Sequence, residues 1–193
     1  MLGGMQSSPP VPTSWRSARS SLRWLLELLY NDVVTHVPSH TLRQAWLRAL
    51  GARIGEGSAV LRGTIVHSPR ELVIGNRTNV GWRVVLDARG GIVIGDDCVI
   101  SSDTQFITGT HDVDSEDFAA VFSPIVVGDH CWVATRTVVL GGVTMQRGAV
   151  AAAGALVCDD VAEAIVVAGI PARPVRRRES SLTYRLAHRP LYS

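Results

Sequence analysis

A period of six residues runs through most of this 193-residue chain and constrains its fold more than any other feature. It begins at Ile54 and continues, with interruptions, to Val157. All fifteen anchor positions are apolar, which a 46% apolar content would produce by chance with a probability on the order of one in 100,000. The repeat therefore predicts a solenoid of stacked coils. The anchors are Ile54, Val60, Val66, Ile74, Val80, Leu86, Ile94, Ile100, Phe106, Val127, Val133, Val139, Met145, Ala151 and Val157.

Three hexads make one coil, with a short strand on each of three faces and a tight corner after each strand. The inward side chains of successive coils then stack at the inter-strand spacing of about 4.8 Å. The first anchors of the coils (residues 54, 74, 94, 127 and 145) lie 20, 20, 33 and 18 residues apart, which predicts five coils and a fifteen-residue insertion after Thr110. Corners require small residues, and the position four residues after an anchor is small or β-branched almost throughout. It holds Ser58, Thr64, Thr78, Cys98, Thr104, Cys131, Thr137, Ala149 and Ala155.

The rest of the chain divides into segments outside the repeat. Residues 1–14 are rich in Gly, Ser and Pro and lack the pattern of a signal peptide, so a disordered tail is predicted. Residues 15–51 carry apolar side chains at helical spacing and are predicted to form an N-terminal helical segment. The β-helix domain is expected over 52–172 with an inserted loop at 112–126, followed by a basic extension over 173–193.

The two predicted helices differ in character. The second, which follows Pro38, has apolar residues at helical spacing and ends at Gly51, a plausible C-cap. These residues are Leu42, Ala45, Trp46 and Ala49.

The first helix carries a basic stripe of Arg16, Arg19 and Arg23. This stripe could lie on an anionic membrane surface, or it could be the solvated face of a helix packed on the protein, which is the favoured interpretation. No apolar run approaches the length of about 18 residues that spans a membrane. A cytoplasmic protein is expected, at most peripheral to the inner face of the membrane.

Composition excludes several classes of site. The chain contains no Lys, which excludes Schiff-base, P-loop and kinase-type chemistry. A net charge of +2 gives no signal for nucleic-acid binding. Cys98, Cys131 and Cys158 lack the spacing of a zinc site or a disulfide framework. Cys98 and Cys131 share one slot of adjacent coils and are predicted to be buried, inert thiols.

Four segments carry a more specific signal than the hexads: LDARGGIVIGDD (86–97), TGTHDVDSEDF (108–118), PIVVGDHCWVATRTVVLGGVTM (124–145) and VVAGIPARPVRRR (166–178). With them the chain resembles the hexapeptide-repeat acyltransferases, and among these the galactoside, maltose and colanic-acid-type sugar O-acetyltransferases. The resemblance covers about residues 25–178. It implies an all-β fold, a left-handed parallel β-helix, whose handedness the period alone does not set.

The resemblance also implies a function and an assembly. The bacterial members of this family transfer an acyl group, commonly acetyl, from acyl-CoA to a hydroxyl of a saccharide, glycolipid or glycosylated small molecule. They need no metal and form homotrimers whose sites lie between subunits. The acceptor and the acyl chain length are not indicated by any motif of this chain.

His111 is the expected catalytic residue. It lies at the root of the insertion, where a side chain can leave the coil toward a cleft. A neutral imidazole, with an ordinary pKa of about 6.5, can accept the proton of a hydroxyl that attacks a thioester, and the matching histidine of the family acts in this way without an acyl-enzyme. Asp112 is its neighbour in an extended chain and should point to the opposite side, so the two are not expected to form a dyad.

Five positions match those at which the family binds CoA between subunits. Trp132 offers an apolar wall for the acyl-thioester arm, and Thr135 and Ala153 permit close approach of the backbone. Arg173 and Arg176 can meet the phosphates through charge-assisted hydrogen bonds.

One departure from the family pattern affects the phosphates. Where the family often has Thr-Lys after the last anchor, this chain has Cys158 and Asp159. One phosphate contact is then missing, so either a nearby Arg compensates or the affinity is lower. The run Arg176, Arg177 and Arg178 could also be only a solubilising tail.

Asp87 is similar to an acidic position on the acceptor side of the family, where it could hold a sugar hydroxyl or orient the base. It could equally be a corner residue that accepts hydrogen bonds from the amides of its own turn. Two other classes of function remain open for the whole chain. One is a non-catalytic β-helix scaffold, and the other is a γ-carbonic-anhydrase-like metalloenzyme, although the HxxxxH pair of that family is missing.

Overall fold

The computed structural model describes residues 18–187, with side chains from residue 22 onward. The predicted tail over 1–14 and the side chains of Arg16 and Arg19 lie outside the described residues. A helical N-terminal part is followed by strands that wind into a three-sided parallel β-helix. Five coils are complete, as predicted, and a sixth is partial.

Two α-helices precede the first coil. Helix α1 spans Ala18–Asp32 and helix α2 spans His40–Ala49, with a 3-10 helix at Val34–His36 between them. Helix α2 begins after Ser39, whose Oγ accepts a hydrogen bond from the backbone N–H of Leu42. Such an N-cap satisfies a backbone donor that the helix itself leaves unpaired.

The helical part covers the first coil and satisfies its strand carbonyls. Strand N–H groups of one coil donate to carbonyls of the next coil, so the strand carbonyls of the first coil have no earlier coil to pair with. Side chains of the helical part donate to them instead. The donors and acceptors are Asn31 to Val66 at 3.0 Å, Thr35 to Thr64 at 2.8 Å, Arg43 to Val60 at 3.1 Å, Gln44 to Ser58 at 3.0 Å and Arg48 to Ile54 at 3.0 Å.

The apolar positions that predicted helix α2 are not its buried face. Leu42, Ala45 and Ala49 are exposed, and Trp46 is partly buried. The helix instead buries Arg43, Gln44 and Leu47. Arg43 and Gln44 face inward because they donate hydrogen bonds to carbonyls of the first coil. The spacing of apolar residues does not predict this need for donors.

Three short strands make each coil. In chain order the strands are β1 (Arg53–Ile54), β2 (Ala59–Val60) and β3 (Ile65–His67); β4 (Leu72–Ile74), β5 (Asn79–Val80) and β6 (Val85–Asp87); β7 (Ile92–Ile94), β8 (Val99–Ile100) and β9 (Gln105–Ile107); the hairpin strands β10 (Gly109–His111) and β11 (Ala120–Phe122); β12 (Ile125–Val127), β13 (Trp132–Val133) and β14 (Val138–Leu140); β15 (Thr144–Met145), β16 (Val150–Ala151) and β17 (Leu156–Val157); and then β18 (Ile165–Ala168) and β19 (Arg173–Arg177).

Strands on the same face form one sheet across the coils. The orders are β1-β4-β7-β12-β15 on the first face, β2-β5-β8-β13-β16-β18 on the second and β3-β6-β9-β14-β17 on the third. Strand β19 returns antiparallel along β18 and extends the second face. The parallel registers align the anchors of successive coils, as where Val80 pairs with Ile100 and Ile100 with Val133.

The anchors form the core of the β-helix. All of them are buried except Ile54, which is partly buried and packs against the same cluster. Corner hydroxyls tie successive coils together, because Thr78 Oγ1 donates to the carbonyl of Gly95 at 2.7 Å and Thr137 Oγ1 to that of Ala152 at 3.0 Å. The six-residue period is thus the period of the core and of its corners.

The thiols of Cys98 and Cys131 are buried, as predicted. They donate to the carbonyls of Gly128 and Gln146, each at 3.1 Å. A hydrogen bond with Cys131 and burial raise the pKa of the Cys98 thiol, which keeps it protonated. A buried, protonated thiol such as that of Cys98 is not an activated nucleophile.

Candidate active site

The insertion of the third coil is an ordered β-hairpin. Strand β10 pairs antiparallel with β11, and His111 lies opposite Ala120 in the register. The hairpin closes where the backbone N–H of Ser123 donates to the carbonyl of Thr108 at 3.0 Å. The β-helix resumes at β12, whose first residue is Ile125, inside the range expected for the inserted loop.

His111 is exposed on the hairpin and is held by Phe118. The two rings stack with centroids 4.3 Å apart and planes 8° from parallel. His111 Nδ1 lies 2.8 Å from the Phe118 carbonyl oxygen. A carbonyl can only accept, so Nδ1 carries the proton of the neutral ring and Nε2 holds the free electron pair. The contact therefore fixes the tautomer that a base acting through Nε2 needs.

Phe118 was not found by sequence reasoning. Its backbone is left-handed, with φ 49°, which directs its carbonyl and its ring toward the same histidine. A bulky side chain in this conformation is unusual and is held by its surroundings. The hairpin lies outside the six-residue period, so no pattern in the sequence marked this position.

Asp112 serves the turn of the hairpin. Its carboxylate accepts a hydrogen bond from the backbone N–H of Asp114 at 3.1 Å, and its own N–H donates to Ala119 at 2.9 Å. These contacts place Asp112 in the loop that carries Phe118 rather than on the imidazole of His111.

Asp87 is buried at the foot of the hairpin and is bound by Arg89. The guanidinium donates to both carboxylate oxygens, from Nε at 2.7 Å and from Nη2 at 2.9 Å, and the backbone N–H of Arg89 adds a contact at 3.4 Å. Burial opposes ionisation, but these hydrogen bonds and the charge of Arg89 outweigh it and hold the pKa of Asp87 below its ordinary value.

Arg89 connects Asp87 to the hairpin. Its guanidinium carbon lies 5.0 Å from the ring centroid of Phe122, a cation–π contact with the last residue of β11. The carbonyl of Asp87 also accepts from Thr108 Oγ1 at 2.6 Å, immediately before β10. The surroundings of Asp87 therefore support the base of the hairpin.

A groove of about 500 Å³ crosses the second face, and we call it the Trp132 groove. Four of the five expected donor-binding residues line it together: Trp132, Thr135, Ala153 and Arg176. The register aligns two of them, because Trp132 pairs with Val150, Val150 with Val166, and Val166 with Arg176. Trp132 and Arg176 therefore lie in one column of the sheet, three strand spacings or about 14 Å apart.

The walls of the Trp132 groove are fixed by hydrogen bonds. Trp132 is half-exposed, and its indole N–H donates to Ser101 Oγ at 3.1 Å. Thr135 Oγ1 donates to the carbonyl of Ser102 at 2.7 Å. The result is a groove with an aromatic wall at one end and guanidinium groups at the other.

Arg173 lies apart from the other four expected donor residues. It lines a separate hollow of about 410 Å³ near the last coil, together with Asp159. Its Nη1 donates to the Asp159 carboxylate at 2.9 Å, and both side chains are exposed. Asp159, which departs from the family pattern, therefore pairs with Arg173, an expected phosphate ligand. His111 and Asp87 are not among the residues that line the Trp132 groove.

Residues 18–187 contain neither a membrane-spanning helix nor a metal-ligand cluster. No helix there is long and apolar enough to cross a membrane. In the same part of the chain, no group of three or more His, Cys, Asp or Glu side chains is arranged to hold a metal ion.

The chain is similar in sequence to known acetyltransferases. The chain is 32% identical over 164 residues, 85% of each chain, to the Escherichia coli (strain K12) protein assigned as the colanic acid biosynthesis acetyltransferase WcaF. It is 24% identical over 152 residues to the galactoside O-acetyltransferase of the same organism, covering 77% of this chain and 75% of that one. No family model matches the chain.

A solved structure gives the same result for the fold. The hexapeptide-repeat acetyltransferase of Vibrio cholerae O1 biovar eltor, solved in complex with acetyl coenzyme A, superposes with a TM-score of 0.74 at 30% identity. The match covers 85% of this chain and 91% of that one. The expected left-handed parallel β-helix is confirmed by this similarity.

Proposed function

Because the chain belongs to the hexapeptide-repeat acetyltransferases, we propose that it transfers an acetyl group from acetyl-CoA to a hydroxyl of a saccharide, glycolipid or glycosylated small molecule. The observation that carries the proposal is the imidazole of His111, whose Nδ1 is bound to a carbonyl and whose Nε2 is left to accept a proton. Two relatives are named for acetyl transfer to a galactoside and for colanic acid biosynthesis, which supports a saccharide acceptor.

In this proposal His111 is the general base. Nε2 takes the proton of the acceptor hydroxyl as its oxygen attacks the carbonyl carbon of the thioester. The carbon–sulfur bond then breaks, and the departing thiolate takes the proton back from Nε2. The products are an acetyl ester and CoA, and no acyl-enzyme forms. The Phe118 carbonyl stabilises the imidazolium that exists between the two transfers, because it accepts from Nδ1–H throughout.

The Trp132 groove is the proposed donor site. The indole of Trp132 packs along the apolar thioester arm, and exposed Ala153 leaves room for it beside Thr135. Arg176 meets the phosphates through its forked guanidinium. Arg173 is the weaker candidate, because the Asp159 carboxylate already occupies its Nη1 group and repels a phosphate.

The proposed site requires a second copy of the chain. His111 stands on a hairpin that leaves the third face after β9, whereas the Trp132 groove crosses the second face. A cyclic trimer that sets the hairpin of one subunit against the groove of its neighbour brings base and donor together three times. Asp87 then acts on the acceptor side mainly through Arg89 and the hairpin that both support.

The proposed location is the bacterial cytoplasm, with helix α1 as a contact to the inner face of the membrane. The support is the outer face of that helix, where Leu22, Leu25 and Leu29 are exposed. Arg23, also exposed, adds positive charge to this helix.

Acetyl transfer from acetyl-CoA to a panel of glycans and hydroxylated metabolites tests the proposal. His111→Ala is expected to lower kcat roughly 10²- to 10⁴-fold while the Kd for CoA stays within about twofold. His36→Ala, at an exposed histidine before helix α2, is the matched control and should retain full turnover. Equal turnover by the parent and His111→Ala on an accepted substrate would refute the role of the base.

A further inference from the structure

The chain beyond β19 folds back along one edge of the β-helix. We call residues 178–187 the C-terminal strap. Leu182 is buried in it, and its carbonyl accepts from Arg147 Nη2 at 2.8 Å. The backbone N–H of Leu186 donates to Asp97 Oδ1 at 2.9 Å. The strap therefore runs from the corner of the fifth coil back to the corner of the third.

The strap follows a single slot of the coil. Asp97, His130 and Gly148 each lie three residues after the first anchor of their coil, and all three have positive φ angles. Their shared backbone conformation makes a straight track along the edge between the first and second faces. A side chain at the Gly148 position would collide with Cδ1 of Leu182.

Arg178 stands where the strap leaves the second face and also lines the Trp132 groove. Its Nη1 donates to the His130 carbonyl at 2.8 Å and, more weakly, to the Gly148 carbonyl at 3.4 Å. Its Nη2 donates to Tyr184 Oη at 2.9 Å. These contacts engage three of its five N–H groups and leave two without a partner in the described part of the chain.

Tyr184, further along the strap, holds the Arg178 side chain in place. Its hydroxyl donates to the same His130 carbonyl at 3.3 Å, and its ring packs edge-on against the His130 ring with centroids 4.9 Å apart. The guanidinium carbon of Arg178 lies 5.7 Å from the Tyr184 ring centroid. Arg178 is therefore held in one place by a tyrosine and two backbone carbonyls, and no carboxylate of the described chain pairs with it.

We propose that Arg178 is a further phosphate ligand of the Trp132 groove and that Tyr184 is the residue that positions it. This inference rests on the proposed function, because it assigns a ligand for the phosphates of the same donor. In the described residues no carboxylate pairs with the guanidinium of Arg178, whereas Asp159 pairs with that of Arg173. The strap thus supplies the cation that the Cys158-Asp159 departure removes.

Preorganisation explains the value of the strap. An unrestrained arginine side chain loses conformational entropy when it binds an anion. The contacts with His130 and Tyr184 already restrict the Arg178 side chain, so less entropy is lost on binding. One charge-assisted hydrogen bond to a phosphate is then expected to strengthen donor binding about tenfold.

The test compares two thioester donors on each variant. Acetyl-CoA carries the phosphates, and S-acetylpantetheine presents the same reacting group without them. Arg178→Gln is expected to raise KM for acetyl-CoA about tenfold, with kcat within about twofold, and to reduce the preference for acetyl-CoA over S-acetylpantetheine by the same factor. Arg177→Gln removes the same charge from the neighbouring exposed position of β19 and should keep the parental preference.

Tyr184→Phe tests the positioning role. It keeps the ring against His130 and removes only the hydroxyl, so the donor preference should fall about threefold with no change in kcat. A purely structural role for the strap would alter both donors equally or change only the Tm. Unchanged preference in Arg178→Gln would overturn the inference, and unchanged preference in Tyr184→Phe alone would overturn the positioning role of Tyr184.

The two proposals fail in different ways. If the parent protein uses neither thioester and does not bind CoA, the proposed function is wrong, and this inference falls with it. If the parent prefers acetyl-CoA and Arg178→Gln shows the same preference, the donor site stands and only the assignment of Arg178 is wrong.

Discussion

The stacked coils and the hairpin that carries His111 are held together in different ways. In the coils, anchors such as Phe106 are fully buried and align with Leu86 and Val139 on neighbouring strands. The hairpin is largely exposed, and His111 and Phe118 stack on each other within it. Stability therefore resides in the coils, while the proposed chemistry resides in a part that adds little to the core.

This difference separates two kinds of residue in the candidate site. The floor of the Trp132 groove is set by the sheet register, which places Trp132 and Arg176 in one column across successive strands. The imidazole is aligned by one ring and one carbonyl within its own hairpin. Mutations in the two regions should consequently separate stability from turnover.

The largest expected effect is on stability and comes from the coil. Phe106→Ala removes a ring from the centre of the stack and should lower the free energy of unfolding by about 3–5 kcal/mol, through lost burial and the cavity that remains. Val113→Ala, at an exposed hairpin position, should change it by less than about 0.5 kcal/mol. Denaturant unfolding of both variants measures the contrast, and equal losses would contradict it.

A smaller effect is expected from the hairpin and falls on turnover. Phe118→Ala removes the ring that stacks on His111, so kcat should fall about tenfold while the Tm stays within about 2 °C of the parent. Val113→Ala serves again as the control, now for activity. A Phe118→Ala enzyme with parental kcat would show that the stacked ring does not position the base.

The smallest effect is expected where the two regions meet. Asp87→Asn breaks the pair with half-exposed Arg89 and should cost about 0.5–1 kcal/mol of stability at neutral pH. Because the pKa of Asp87 is held low in the fold, the pair stabilises fully above the ordinary value of about 3.9 and loses its effect as the pH falls through the lower folded value. The gap between parent and variant in urea unfolding should therefore shrink below about pH 4, and a gap that widens in acid would contradict this assignment.

The sequence predicted those parts of the molecule that repeat. The buried anchors and the corner positions follow from a period that every coil repeats. Trp132, Thr135, Ala153 and Arg176, which line one groove, were expected instead from the resemblance to the family. A residue at a repeated position packs against the equivalent residues of the coils before and after it, so its burial can be predicted from the sequence.

Residues outside the period were not predictable in the same way. Phe118 meets His111 through a left-handed backbone position, and Tyr184 meets Arg178 after the chain reverses direction along the edge. Arg43 is buried on helix α2 because the first coil presents carbonyls that need donors. Each contact joins segments whose spacing in the sequence carries no regular signal.

The central claim is that the base of one subunit acts on the donor held by its neighbour. Subunit complementation tests it most directly, with His111→Ala chains mixed one to one with Ala153→Trp chains, in which an exposed groove position is filled. Each variant alone should be nearly inactive. If the hairpin and the groove come from different subunits, a random trimer restores both halves in roughly a quarter of its sites, and acetyl transfer should recover to about that fraction of the parental rate. No recovery from mixed trimers, verified by differential tags, would mean that base and groove work within one chain, and the account would be wrong.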